Sequence, residues 1–267
     1  MLNIKFKTDK DIMAKLVISK NLMPIPFANY IYDKYKSSYL LLLRNSKSNK
    51  IDNNIILELQ QQDFFKQYLN EANQNLARIE TNWEKYKDKI NEYLAKIFKK
   101  DFAIDTTAII VCLALNAGEN LRNNTFAWGH QKGLDDAFYD LIYLVHESLH
   151  SYFKRDEITH VIIENIADIG LAKNLENKDV SFDDCHSYIK MLHIKILPFW
   201  NIYLEKKKAD IEKTNAINNI SYDQSAFDKY KSKIKNMNID DFVTFLEELD
   251  LDELVNIKCS YSIKIKT

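Results

Sequence analysis

Glycine and proline are scarce in this chain, which has four of the first and three of the second in 267 residues. The glycines stand at 118, 129, 133 and 170, so none lies in the first hundred residues and backbone freedom is concentrated in the middle of the chain. No linker rich in Gly, Pro or Ser divides the sequence, and no internal repeat is present. Cysteine is also sparse: Cys112, Cys185 and Cys259 are odd in number, widely spaced and outside any CxxC pair, which fits a reducing compartment. An excess of either charge is missing, with 37 basic and 38 acidic residues and a net charge of -1. That balance argues against a phosphate-binding surface, and no nucleic-acid partner is expected. The lysine-rich stretches at 85 to 100 and 206 to 213 read as solvated helix faces. Long hydrophobic runs are absent as well. "YLLLL" is too short to span a bilayer, and the N-terminal stretch has no apolar core of a signal peptide. The expectation is a soluble, cytoplasmic protein with no membrane partner.

What is present is 46% hydrophobic residues, enough to bury a substantial core in a chain of this length. From Phe65 to Ile97 the apolar positions alternate spacings of four and three, which predicts one long amphipathic helix or two successive ones. "DTTAIIVCLAL" at 105 to 115 and "NTFAWG" at 124 to 129 read as short strands. The turn chemistry between them predicts an irregular hairpin or adjacent pair, because Gly118 and the asparagines tolerate positive φ. Residues 135 to 154 read as a helix capped by Asp135 or Asp136, and 157 to 175 as a second. Beyond these, 183 to 208 is helical with an interruption at Pro198, 239 to 255 is an amphipathic helix, and "NIKCSYSIKIK" alternates like a terminal strand.

The chemistry concentrates in "LIYLVHESLHSYF" at 141 to 153. His146 and His150, four apart on a helix, project from one face one turn apart and can reach a single metal ion. Glu147 lies about 100° round the helix from His146, close enough to act on a metal-bound water without being a ligand. Zinc suits neutral imidazole, and a catalytic site wants three protein ligands. The following helix offers "VIIENIADIG", where Glu164 can supply the third ligand while Asp168, four residues on, accepts the far N–H of a histidine ligand. His160 stands four residues before Glu164 and can line the site, although a fourth protein ligand would close the position that water needs.

"HESLH" followed by "ENIAD" resembles the gluzincin zinc peptidases, and "ENIAD" is similar to the glutamate motif of the neprilysin family. The glutamate and aspartate four apart also resemble the thermolysin arrangement, as does "NAGENLRNNTFAWG" upstream. The resemblance covers about 116 to 170. It implies His146, His150 and Glu164 as ligands of Zn2+, Glu147 as general base, Asp168 behind a ligand, and Asn116 and Ala117 pairing with an extended peptide backbone. The oxyanion donor would come from 176 to 203, where His186, Tyr188, His193 and Tyr203 are candidates, and His186 or His193 is preferred. No arginine follows Arg155, so a lysine or histidine would hold the substrate carbonyl.

The expected fold is α+β and mostly α-helical: a zincin-like core with a small antiparallel sheet, an active-site helix and a glutamate helix. Its divisions are a helical region over 1–100, the catalytic core over 101–210 and a helical region with the terminal strand over 211–267. The expected function is a zinc-dependent peptidase acting on a peptide or protein substrate, a specialised intracellular processing enzyme. The alternatives are a non-catalytic zincin-fold peptide-binding or sensor protein, and a toxin or effector metalloprotease.

Overall fold

From Leu2 to Lys7 apolar and polar residues alternate, and the chain forms a strand, β1 (Leu2–Lys7), with Leu2 and Ile4 buried and the lysines exposed. The expectations above lack this strand, although its period of two is legible in the residues. The structure is a computed structural model and describes residues 1–44, 53–98, 102–112, 118–129, 137–154, 156–176, 189–206 and 230–251. After β1 come α1 (Lys10–Ser19), α2 (Ile25–Arg44), α3 (Asn53–Gln61) and α4 (Asp63–Ile97), then β2 (Ile104–Val111), β3 (Glu119–Arg122) and β4 (Thr125–Gly129). The later elements among the described residues are helical: α5 (Ala137–Leu149), α6 (Glu157–Glu164), a π-helical turn (Asn165–Leu171), α7 (Ala172–Glu176), α8 (Lys190–Lys206) and α9 (Ile239–Glu247). The protein is therefore mostly helical with one small sheet. No helix among the described residues is long and apolar enough to cross a membrane.

The sheet is mixed, in the order β1-β2-β4-β3, and not antiparallel as expected. β2 and β4 are neighbours but run parallel, with Ala108 opposite Phe126 and Ile110 opposite Trp128. The hairpin is formed instead by β3 and β4. Asn123 and Asn124 both take positive φ, 48° and 55°, the requirement of a tight primed turn. The segment read as turn chemistry thus holds an edge strand of its own. Parallel pairing needs the chain to return to the starting end of β2, and β3 carries it back.

Helix α4 is a single helix of 35 residues. Its face Phe65, Ala72, Ile79, Trp83, Ile90, Tyr93 and Ile97 is buried, so packing of one apolar stripe sustains a helix rich in polar residues. The expected interruption at Pro198 is not observed, since α8 continues through it. Proline removes one backbone donor, but Ile196, Leu197, Phe199 and Trp200 around it are all buried, and that packing outweighs the lost bond. The terminal strand lies outside the described residues.

The chain divides into two compact units, each discontinuous in sequence: Met1–Asn3, Tyr86–Ile104 and Val145–Thr267 form one, Ile4–Lys85 and Asp105–Leu144 the other. In the second, an apolar core of Met13, Val17, Ile18, Ile55, Leu59, Phe65, Ile109 and Ala127 gathers residues from helices and sheet. Asp140 is buried in the same unit, where it accepts hydrogen bonds from Arg78 Nη2 at 2.7 Å and Trp128 Nε1 at 2.9 Å. In the first unit, Trp200 stacks on Tyr203 and Tyr203 on Phe242, at ring separations of 5.4 and 4.7 Å.

Candidate metal centre

Helix α5 is apolar over most of its length, and within that setting His146, Glu147 and Ser148 are buried polar residues. Buried polar groups need partners. His146 finds one in Asp168, whose carboxylate oxygens lie 2.9 and 3.0 Å from Nδ1. With Nδ1–H donating to the carboxylate, Nε2 becomes the nitrogen available to a metal. His150 follows the last residue of α5, yet its N–H still bonds to the His146 carbonyl at 3.4 Å, so the two rings keep the one-turn spacing of a helix.

A third ring joins them. His160 belongs to α6, which starts cleanly because Asp156 caps it with a reciprocal bond pair to Thr159. The three imidazole centroids form a nearly regular triangle, 5.1 Å from His146 to His150, 5.3 Å from His146 to His160 and 5.0 Å from His150 to His160. One nitrogen from each lies within 4.8 Å of the others. Ligands about 2.0–2.1 Å from a tetrahedral zinc stand roughly 3.4 Å apart. Closing the triangle onto an ion therefore asks each ring to move by about an ångström, within the reach of side-chain rotation.

Glu164, one turn after His160, is wholly buried. Its Oε1 lies 3.6 Å from His160 Nε2, and its Oε2 is hydrogen-bonded to His193 Nε2. His193, on α8, is itself wholly buried. Burial works against protonation of His146, but the Asp168 charge and hydrogen bond outweigh it, assisted by Glu147 and Glu164, and its pKa is pushed up to about 9. A surplus of negative charge around the rings has this effect, and the same surplus favours a cation among them. Metal bound there would displace the proton.

The structure therefore brings His146, His150 and His160 together, sets Glu164 beside them and Asp168 behind His146. His160, given only a marginal place by sequence, is the third histidine of the group that could hold an ion. Its spacing of four before Glu164 was the available signal. His193, a preferred oxyanion candidate, faces Glu164 inside the protein, and the hydroxyl of Tyr203 donates to the Ile97 carbonyl at 2.9 Å. His186, Tyr188, Asn116 and Ala117 lie outside the described residues.

The donor set of neutral imidazoles plus carboxylate suits a divalent transition ion, although it does not single out zinc. No family model, no curated protein and no solved structure matches the chain.

Proposed function

We propose that this protein is a metal-dependent peptide hydrolase of the HExxH type, with a divalent ion, zinc by preference, held by His146, His150 and a third ligand from α6. The reading is supported above all by one observation: three histidine nitrogens within 4.8 Å of one another, on and directly after the helix that carries Glu147 and on the helix that follows. Zinc held there supplies a Lewis acid that lowers the pKa of water toward neutrality and polarises a carbonyl. Glu147 takes the proton from the attacking water and returns it to the leaving amine. Asp168 fixes the ring of His146, and the His193 bond fixes Glu164. The resemblance to gluzincins supports peptide as the substrate class. A zincin-like core and an intracellular processing role belong to the same proposal, and Cys112, a buried thiol, is compatible with a reducing compartment.

A second reading has its own observation. Because His160 joins the cluster and Glu164 Oε1 is 3.6 Å from it, the four side chains can close round an ion as a purely structural site, which would make the protein a binding or sensor module. Metal content per chain and cleavage of a peptide library, measured on the wild type, Glu147→Gln and His160→Ala, separate the two. The hydrolase reading expects one metal per chain in Glu147→Gln with cleavage lost. Cleavage that survives Glu147→Gln would sink it, and metal bound tightly without any cleavage by the wild type would favour the structural site.

A further inference from the structure

Between Glu164 and Ala172 the helix changes its hydrogen-bond pattern, and the change falls on the residues around the candidate centre. Asn165–Leu171 is π-helical, and the Ala172 N–H reaches back five residues to the Ala167 carbonyl. A wider turn of this kind is rare, costs backbone energy relative to an α-helix, and is kept where something outside the helix holds it. Here the external partner is Tyr93 on α4. Its hydroxyl is buried and donates to the Ile166 carbonyl at 2.8 Å. Gly170 makes room for it: a methyl group there would overlap the Tyr93 hydroxyl and stand 2.9 Å from the Asn165 carbonyl oxygen. Asp168 sits between these two fixed points, and its carboxylate is the one that receives Nδ1–H of His146.

We propose that Tyr93 and Gly170 are positioning residues: by holding the π-helical turn they set the direction of Asp168, and through it the orientation of the His146 ring toward a metal. An α-helical turn over the same residues has one residue fewer between hydrogen-bonded groups, so it would rotate Asp168 about the axis and away from His146. Burial raises the pKa of Tyr93 well above the usual phenol range, so the hydroxyl remains a proton donor throughout the working pH range. The proposal rests on the metal-site reading for its consequence, while the Asp168–His146 geometry that it explains is independent of any ion.

The test uses the full chain as wild type, Tyr93→Phe, Asp168→Ala, the double variant, and Gly170→Ala, which attacks the same turn from its other side. Two quantities are read: the His146 ring nitrogen shifts in metal-free protein, which report its Nδ1–H bond to Asp168, from 15N long-range correlation spectra, and the zinc dissociation constant. Tyr93→Phe keeps the ring and should stay folded by circular dichroism. It is expected to alter the His146 signature and to weaken zinc binding roughly tenfold, the usual cost of disturbing a ligand's outer partner. In the Asp168→Ala background the same change should add nothing, and Gly170→Ala should shift both readouts in the same direction. An unchanged His146 signature with zinc affinity within twofold in both Tyr93→Phe and Gly170→Ala overturns the proposal, as does full additivity with Asp168→Ala. A wild type that binds no zinc, with the His146 signature still dependent on Tyr93, overturns the metal reading and leaves the positioning role standing.

Discussion

Two buried polar clusters share the helix Ala137–Leu149, and their geometry differs. Around Asp140 one carboxylate meets one guanidinium and one indole N–H. Arg78 keeps about a third of its side chain exposed, 36%, so the charge costs little to hold. Around His146 the arrangement is different: His146, His150, His160 and His193 gather with Glu164 and Asp168, and three of the imidazoles bring one nitrogen each within 4.8 Å of the others. Structural pairs do not need convergence. Buried charge that only holds a fold needs no more than its hydrogen bonds, whereas three imidazole nitrogens within 4.8 Å of one another are a group that could hold an ion.

The sharpest way to break this comparison is to remove a converging ring. His150→Ala should lose metal entirely, from one ion per chain to none by elemental analysis, and a chelator that lowers the melting temperature of the wild type should leave this variant unmoved. At a metal concentration of 100 times the dissociation constant, the stabilisation lost is about 2.7 kcal/mol. A variant that keeps its metal would make the triangle of rings incidental. Next in size is Glu147→Gln, for which peptide cleavage should fall by roughly 10²- to 10⁴-fold at unchanged metal content, the range for removing a general base. Steady-state kinetics with a cleaved library peptide reads this directly.

The structural cluster should answer differently. Asp140→Ala leaves the Trp128 N–H buried without its acceptor and Arg78 without its partner, so it should cost about 2–3 kcal/mol in denaturant unfolding while zinc affinity of the folded protein stays within twofold. A large loss of metal at small loss of stability would merge the two clusters into one. The smallest effect is expected at Tyr203→Phe, which removes the bond to the Ile97 carbonyl and should cost about 1 kcal/mol with no change in metal content.

How much of this was legible follows from the range of each signal. Helical periodicity is local, so the long helix Asp63–Ile97 and the helices bearing His146 and Glu164 could be read from spacing alone. Strand partners are not local. The pair Ile104–Val111 and Thr125–Gly129 was recognisable as two strands, but their parallel direction depends on the short strand between them, whose polar "ENLR" gives no strand signal. The candidate site divides in the same way. HESLH sets two histidines and a glutamate at fixed helical spacing, and "ENIAD" sets a carboxylate pair, each within about one turn of helix.

By itself, then, the sequence determined what covalent spacing along a helix can determine: which residues are amphipathic, that His146 and His150 share a face, and that Glu164 and Asp168 follow on the next helix. Tertiary structure alone decided that His160 completes the triangle, that His193 turns inward to Glu164, and that a π-helical turn held by Tyr93 aims Asp168 at His146. The reason is physical. A residue's position along its own helix follows from the backbone repeat, but the choice of partner across 29 residues from Glu164 to His193, or 73 from Tyr93 to Ile166, follows from the packing of the whole core.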